Sequence, residues 1–73
     1  NCILPGWIDT DLTRKARVDM PQLDANVLAR TPKGRWGEIG DFEGIAAFLG
    51  SDASAFVTGV AIPVDGGLSI PRL

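Results

Sequence analysis

The residues best suited to chemistry form a short run near the start of the chain, Pro5-Gly6-Trp7-Ile8-Asp9-Thr10, directly after the apolar Cys2-Ile3-Leu4. Proline followed by glycine ends a strand sharply. Thr10 is then a typical N-cap, which places backbone amides and a hydroxyl at the start of a helix. Such a turn can hold a ligand that carries amide or phosphate groups. The same residues would also serve as an ordinary turn followed by a plain helix cap.

The composition removes several kinds of catalytic site. The 73 residues include no histidine, so this sequence contains no imidazole base, no Ser-His-Asp triad and no histidine-containing metal site. Cys2 is the single cysteine, which excludes an internal disulfide. A lone cysteine in an apolar strand is most often a small buried side chain. We therefore expect no metal site, and a reducing, cytoplasmic location.

The charge distribution and the hydropathy of the sequence argue against two kinds of partner, nucleic acids and membranes. Seven basic and nine acidic residues are interspersed along the chain, whereas nucleic-acid binding requires clustered Lys and Arg. No apolar run approaches the ~20 residues that are needed to cross a bilayer. The apolar fraction of 45% is typical of globular proteins and argues against disorder. We predict no nucleic-acid partner and no membrane role.

Several helices and strands must position this turn. The short apolar run before it predicts the end of a buried parallel strand. Thr10 predicts a short helical turn through Arg14. Asp19-Met20-Pro21-Gln22 resembles a second helix start, with Asp19 as its cap, and this helix would end at Thr31-Pro32. Its apolar stripe is thin, so we expect the second helix to lie over a surface rather than in a core.

The second half of the chain carries the clearest helix pattern, over residues 39–50. Four apolar residues at i, i+3, i+4 and i+7 make one continuous face: Phe42, Ile45, Ala46 and Leu49. Residues 60–65 predict a final strand. Two strands joined by helices form a parallel pair, and such a pair needs further strands and covering helices. The predicted fold class is α/β, the C-terminal part of a doubly wound parallel sheet with intervening helices.

Four segments, taken together, resemble the short-chain dehydrogenase/reductase family. Residues 1–10 resemble its N-x-I/V-x-P-G-x-I/V-x-T segment, and Arg35-Trp36-Gly37-Glu38 resembles its R-F/W-G-E/D turn. Residues 46–59 are similar to its A-x-F-L-x-S-D-x-A/S-x-F/Y-V/I-T-G run, and Val64-Asp65-Gly66-Gly67 matches its V-D-G-G. The resemblance covers nearly the whole chain. Among relatives it is greatest to bacterial sugar-alcohol, gluconate or glucose dehydrogenases and 3-oxoacyl-carrier-protein reductases.

The resemblance implies an NAD(P)-dependent oxidoreductase on a Rossmann-type sheet, in which residues 1–73 are the C-terminal segment. Residues 11–30 correspond to the helices of a substrate lid, residues 39–50 to a packing helix and residues 60–65 to the last strand. The catalytic Ser, Tyr and Lys of the family lie before the matched region, and this sequence has no Tyr. No catalytic residue is therefore assigned to this chain, which is expected to be inactive alone.

The resemblance also implies that four residues bind the cofactor, NAD or NADP: Pro5, Gly6, Ile8 and Thr10. The Ile8 backbone and the Thr10 hydroxyl would bond the nicotinamide carboxamide, and Pro5-Gly6 would let the backbone approach the ring closely. Trp7 would face the substrate, although packing under the following helix explains a Trp there equally well. Trp36 is expected to anchor its connector against the Phe42 helix.

The implied partners are a small carbonyl or alcohol substrate, the rest of the same enzyme chain and further copies of it, as a homotetramer or a dimer. A different class of function fits the same sequence: a non-catalytic binding or scaffold module that associates through its strand edges.

Overall fold

Two short parallel strands lie at the centre of this computed structural model, which describes residues 1–70. Strand β1 spans Cys2–Pro5 and strand β2 spans Ala61–Val64, in register from Cys2 opposite Ala61 to Pro5 opposite Val64. The parallel pairing predicted from the sequence is confirmed. Because both strands run in the same direction, the turn that follows β1 lies beside the turn that follows β2.

Helix α1 spans Asp11–Asp19 and begins at the predicted N-cap, Thr10. The Thr10 hydroxyl accepts from the Thr13 backbone N–H at 3.3 Å, and the Thr13 hydroxyl accepts from the Thr10 backbone N–H at 2.8 Å. The two threonines therefore cap the helix start reciprocally. Helix α1 extends beyond the predicted short turn through Arg14 because good helix formers, including Lys15, continue it.

Helix α2 spans Pro21–Arg30 and is separated from α1 by the single residue Met20. The predicted cap at Asp19 is wrong, since Asp19 is the last residue of α1 and the N-cap is Met20, without a side-chain hydrogen bond. Pro21 occupies the first helical position, where its missing N–H needs no partner. The two helices pack against each other.

The predicted helix over residues 39–50 consists of two parts. A 3-10 turn spans Ile39–Phe42, and helix α3 spans Glu43–Leu49. Gly50 ends the helix as predicted, with its N–H bonded to the Ala46 carbonyl at 3.0 Å. Of the four positions in the predicted apolar face, all but Ala46 are half-buried.

Only two apolar side chains in the described part of the chain are buried, and both lie outside the sheet. Val27 on α2 is 3% exposed, and Trp36, in the connector after α2, is 7% exposed. Helix α2 was predicted to lie over a surface rather than in a core, and seven of its ten residues are exposed, with Val27 as its one buried residue. Two polar side chains are also buried: Thr31 and, in the last 3-10 turn Asp52–Ser54, Ser54.

The sheet is open to solvent in this chain. Strand β1 has no buried residue, although the sequence predicts a buried strand, and Cys2 is exposed as well. Among residues 1–70, eleven large apolar side chains are exposed, including Leu4 at 48% and Phe56 completely. The Cα radius of gyration is 14.3 Å, whereas a compact chain of this length has one of about 11 Å. With a thinnest dimension of 16 Å, the molecule is a single layer whose sheet is uncovered.

Candidate functional site

The turn after β1 is fixed by backbone hydrogen bonds to the connector. The Gly37 N–H donates to the Trp7 carbonyl at 2.9 Å, and the Asp9 N–H donates to the Gly37 carbonyl at 2.7 Å. These bonds make an isolated parallel bridge between Ile8 and Gly37. The turn is therefore rigid on the side that faces the connector.

Ile8 directs its own backbone polar groups to the opposite side, because its neighbours make both bonds of the bridge. Its carbonyl accepts from the Thr13 hydroxyl at 2.6 Å. Its N–H has no hydrogen-bond partner among residues 1–70. The side chain packs on Gly37, where an added β-carbon would lie 2.5 Å from Ile8 Cδ1. A fixed side chain and an unpaired amide suit a residue that binds a ligand through its backbone.

Thr10 is half-buried, and its hydroxyl caps α1 as described above. Sequence reasoning missed its partner Thr13, whose hydroxyl lies between the Ile8 carbonyl and the Thr10 backbone. The usual capping-box signal has Glu or Gln three residues after the cap, and a Thr there does not match it. The Thr13 side chain thus links the helix cap to the Ile8 carbonyl.

Gly6 is required by its contact with the end of β2. A β-carbon on Gly6 would lie 2.7 Å from the Asp65 β-carbon and 2.8 Å from the Asp65 Cα. Pro5, just before it, is the last residue of β1 and pairs with Val64. Gly6 was expected to leave space for a nicotinamide ring, and Asp65 occupies one side of that space.

Asp65 organises the turn after β2. Its carboxylate accepts from the backbone N–H groups of Ser69 and Gly67, both at 3.0 Å. Hydrogen bonding from Ser69, followed by that from Gly67, lowers the pKa of this carboxyl below its ordinary value. Gly66 and Gly67 have φ angles of +64° and +95°, which favour glycine. These residues therefore have a clear structural role in the turn.

The two tryptophans meet beside the turn. Their ring centroids are 5.9 Å apart with planes at 70°, an edge-to-face contact. Trp7 is 43% exposed. The Trp36 indole N–H donates to the Asp24 carboxylate on α2 at 2.7 Å. Trp36 was predicted to pack against the Phe42 helix, but its ring and hydrogen-bond partners lie on α1, α2 and the turn.

Arg17 connects these parts. Its guanidinium lies 4.1 Å above the Trp36 ring centroid, pairs with Asp9 and comes within 3.6 Å of Asp24. The side chain is only 23% exposed. We call Trp7, Asp9, Arg17, Asp24 and Trp36 the Arg17 cluster. It joins both helices to the turn and to the connector, and the sequence pattern did not predict it.

Arg14 binds the same carboxylate from the solvent side. Its Nε lies 3.0 Å from the Asp9 carboxylate, and its side chain is 62% exposed. Hydrogen bonding from Arg14 is the main cause of the lowered pKa of the Asp9 carboxyl. Asp9 therefore stays ionised as the common partner of two arginines.

Two cavities share Trp7. The inner cavity, of about 190 Å³, lies between the turn and the end of β2, and its lining includes Ile8 and Asp65. The outer cavity, of about 630 Å³, lies between α2 and residues 68–70. Its lining combines Trp7 and four aliphatic side chains with Asn26 and Arg30. Trp7 is thus placed where a bound molecule would touch it, next to the turn.

The part of the chain that the structure describes has neither a metal-binding cluster nor a membrane-spanning helix. No cluster of three or more Cys, Asp or Glu side chains could hold a metal ion there. No helix among residues 1–70 has the length and apolar character of a membrane span.

Comparison with known proteins shows which family this chain resembles. The model of the family described as enoyl-(acyl carrier protein) reductase matches residues 1–69. The 2-dehydro-3-deoxy-D-gluconate 5-dehydrogenase of Pseudoalteromonas atlantica (strain T6c / ATCC BAA-1087) is 51% identical over 67 residues, which cover 92% of this chain and 26% of that protein. The cyclohexanol dehydrogenase of Rhodococcus sp. (strain TK6) is 46% identical over 69 residues, which cover 94% of this chain and 25% of that protein.

Solved structures give the same answer. The gluconate 5-dehydrogenase from Burkholderia cenocepacia J2315, in complex with NADP and tartrate, superposes with a TM-score of 0.85 at 43% identity, covering 96% of this chain and 27% of that one. The chain thus spans about a quarter of the length of the relatives it matches. These neighbours confirm the predicted α/β, Rossmann-type fold class. The chain belongs to the short-chain dehydrogenase/reductase family.

Proposed function

We propose that this chain is the C-terminal part of an NAD(P)-dependent oxidoreductase that transfers a hydride between its cofactor and a carbonyl or secondary alcohol. The observation that carries the proposal is the unpaired Ile8 amide, held beside the Thr10 cap at the carboxyl end of β1. In open α/β sheets, ligands bind at the carboxyl ends of the strands. Family membership supports the same assignment.

The turn would hold the nicotinamide end of the cofactor. The carboxamide needs both an acceptor and a donor. The Ile8 N–H can donate to its oxygen, and the Ile8 carbonyl, with one lone pair already used by Thr13, can accept from its NH2 group. The Thr10 hydroxyl and the start of α1 would lie near the phosphates. Pro5 and Gly6 would set the path of the turn.

The bound dinucleotide would supply the redox chemistry, and NAD and NADP both fit the proposal. A solved relative contains NADP. The residues of this chain would orient the ring and cover it. Neither cofactor is favoured by the described residues, because none of them has been assigned to the adenosine ribose.

Residues 11–30 would form the substrate lid, and Trp7 would contact the substrate. Three observations support this. Helices α1 and α2 pack as a pair, the Arg17 cluster attaches that pair to the turn, and Trp7 is partly exposed at the mouth of both cavities. Residues 39–50 would act as a packing helix and residues 60–65 as the last strand.

The remainder of the enzyme would supply the catalytic Ser, Tyr and Lys and would cover the exposed sheet. The one-quarter coverage of the relatives and the exposed apolar side chains support this. The assembled enzyme would be a cytoplasmic homo-oligomer. Mass spectrometry of the protein in its source separates this from the scaffold alternative. A species of about 25–30 kDa is expected for a single-domain enzyme, whereas a folded product no larger than this chain would overturn the proposal.

Thr10→Val in the complete enzyme tests the site. Loss of one neutral hydrogen bond, about 0.5–1.5 kcal/mol, should raise the dissociation constant of the cofactor about 2- to 13-fold in a fluorescence titration. Because the Thr10 hydroxyl also caps α1, the matched control is Thr10→Ser, which keeps the hydroxyl and should keep both affinity and melting temperature. Unchanged cofactor affinity in Thr10→Val would contradict the assigned role.

A further inference from the structure

The outer cavity differs from the inner cavity in its charge. The described residues that line it include Arg30 and Asn26, with apolar side chains around them and no carboxylate. The inner cavity is lined by two basic and two acidic side chains: Lys33, Arg35, Asp41 and Asp65. The charges of the inner cavity therefore balance, while the outer cavity carries one uncompensated positive charge. An anionic group is favoured in the outer cavity.

Arg30 also differs from the other arginines that the structure describes. Arg14 and Arg17 both bind Asp9. Arg35 makes two hydrogen bonds, of 2.8 and 3.0 Å, to a carboxylate at the start of the next helical segment. Arg30 has no carboxylate partner within residues 1–70. Its guanidinium is thus available to a ligand.

Asn26 and Arg30 are four residues apart on α2, so their side chains lie on one face of the helix, one turn apart. Trp7 lines the same cavity. Trp7 also lines the inner cavity together with Ile8, so a molecule in the outer cavity would contact a side chain that borders the space beside the residue we assigned to the nicotinamide. One end of such a molecule could contact Arg30 while another part approaches the reactive end of the cofactor.

We propose that Arg30, with Asn26, is the subsite for a substrate carboxylate, so that the enzyme acts on a hydroxy or oxo acid rather than on a neutral alcohol. This inference rests on the proposed function. The planar guanidinium can give a carboxylate two parallel hydrogen bonds. The Asn26 amide can bond a neighbouring hydroxyl, and Trp7 can pack along the carbon chain. The two sequence relatives above are named for a sugar acid and for a neutral alcohol, and therefore do not decide between these classes.

Acid and neutral compounds of matched shape test the inference in the complete enzyme. The pairs are gluconate with glucitol and 3-hydroxybutyrate with 2-butanol, and glucitol 6-phosphate distinguishes a phosphate site. The wild type should prefer the acid in at least one pair. Arg30→Gln should raise KM for that acid about 10- to 100-fold, the loss expected for a charge-assisted bidentate bond. Its kcat, and its KM for the neutral partner, should stay within about twofold, because those depend on other contacts.

Two further variants separate recognition from stability. Arg14→Gln removes the same charge from the lid outside the outer cavity and should leave the acid-to-neutral ratio unchanged. Arg30→Lys should recover only part of the preference, because an ammonium cannot form the bidentate pair. A basic residue in the last turn also favours the helix dipole. If that were the only role of Arg30, Arg30→Gln would lower the melting temperature without altering the ratio, and the inference would fail.

The outcomes also separate this inference from the function on which it rests. Preference for the neutral compound in both pairs, preference for the phosphate over the acid, or binding of neither acid would overturn the carboxylate subsite. In those cases the cofactor affinity of wild type and Arg30→Gln would still be equal, and the oxidoreductase proposal would stand. Absence of any dinucleotide binding would overturn the oxidoreductase proposal itself.

Discussion

The helix-pair region, residues 7–37, differs from the sheet region, residues 1–6 and 38–70, in how many of its side chains contact one another. The helix-pair region contains both buried apolar side chains of the described chain, Val27 and Trp36. It also contains the Arg17 cluster, whose members bond to one another. The sheet region has two strands and α3, and none of its described apolar side chains is buried. Its fully exposed Phe56 is the extreme case.

The difference shows that the two regions obtain stability from different sources. The helix-pair region is held by charge-assisted hydrogen bonds and aromatic contacts within one stretch of sequence. Those contacts are partly exposed, which is typical of elements that can move as a unit. The sheet region has parallel strands, which in folded proteins are covered on both faces. On the proposed function, the rest of the enzyme provides that cover.

The largest effect is expected from Trp36→Ala in the complete enzyme. The change removes a buried aromatic side chain together with its contacts to Trp7, Arg17 and Asp24. Phe or Trp to Ala changes in cores cost about 3–5 kcal/mol, and we expect that loss in urea unfolding. Trp36→Phe keeps a ring and should cost about 1–2 kcal/mol, mainly from the lost hydrogen bond. A cost below about 1 kcal/mol for Trp36→Ala would show that the contacts of Trp36 do not stabilise the helix-pair region.

Phe56→Ala is the matching change in the sheet region. Phe56 is completely exposed in this chain, so its truncation removes no contact within residues 1–70. In the complete enzyme it should cost about 3 kcal/mol if other parts of the protein cover the sheet region. A cost below about 0.5 kcal/mol would show that this face meets solvent in the enzyme and would weaken the comparison.

Gly6→Ala should have the next largest effect, because it acts at the junction of the two regions. The new methyl group would lie 2.7 Å from the Asp65 β-carbon, and the backbone must shift to admit it. Overpacking of this kind costs about 1–3 kcal/mol, measured as the change in unfolding free energy. Cofactor affinity should fall with it, since the shift moves the turn that carries Ile8.

Gly44→Ala is the control for Gly6→Ala. Apart from its chain neighbours and the backbone of its own helix, no atom of residues 1–70 lies within 4 Å of a β-carbon at Gly44, in α3. Alanine is the better helix former, so this change should stabilise by about 0.5–1 kcal/mol. Destabilisation by Gly44→Ala would show that another part of the enzyme approaches α3 closely at this residue.

A smaller effect is expected when the Arg17 cluster loses its cation. Arg17→Gln breaks the pair with Asp9, the approach to Asp24 and the contact with the Trp36 ring. We expect a loss of about 1–2 kcal/mol, read as faster hydrogen exchange across α1 and α2. Arg14→Gln breaks only exposed pairs and should cost less than about 0.5 kcal/mol. Equal effects of the two changes would mean that the cluster adds nothing beyond exposed charge pairing.

The elements and their ends were largely predictable from the sequence, because their signals are local. The Thr10 cap and the Gly50 end follow from residues within one or two helical turns. The parallel pairing follows from the helices that join the two strands. The cap at Asp19 failed because helix-forming residues carry α1 through to it, leaving Met20 alone between the helices. A local pattern does not show which of two neighbouring helices will include a residue that fits both.

The site was predictable in its position but not in its contacts. The turn that carries Ile8 was found from its residue types. The Arg17 cluster was not, because Arg17 and Asp24 meet Trp36 across 19 and 12 positions of sequence. Such pairings depend on how α1 and α2 fold back onto the connector. The availability of Arg30 was not predictable for the same reason. Arg30 differs from the other arginines only in lacking a carboxylate partner among residues 1–70, and that difference depends on ion pairs formed in the fold.

The smallest predicted effect is a pH dependence of the folding stability, caused by Asp41 at the boundary between the two regions. Two hydrogen bonds from Arg35, of 2.8 and 3.0 Å, followed by one from the Glu38 backbone N–H, lower the pKa of the Asp41 carboxyl from 3.8 to about 2. A pKa lowered by folding means that ionised Asp41 stabilises the folded state. That contribution is complete above about pH 4 and is lost as the pH falls toward 2.

Asp41→Asn tests the sign of this contribution. The variant should be less stable than the wild type at pH 6, and the difference in urea midpoint should shrink as the pH is lowered to 3, because the wild type then protonates the same carboxyl. The effect is small because the Arg35 side chain is 56% exposed and water screens the pair. In an Arg35→Gln background the pH dependence should largely disappear. A difference that grows on acidification would show that the Arg35–Asp41 pair does not join the connector to the 3-10 turn in solution.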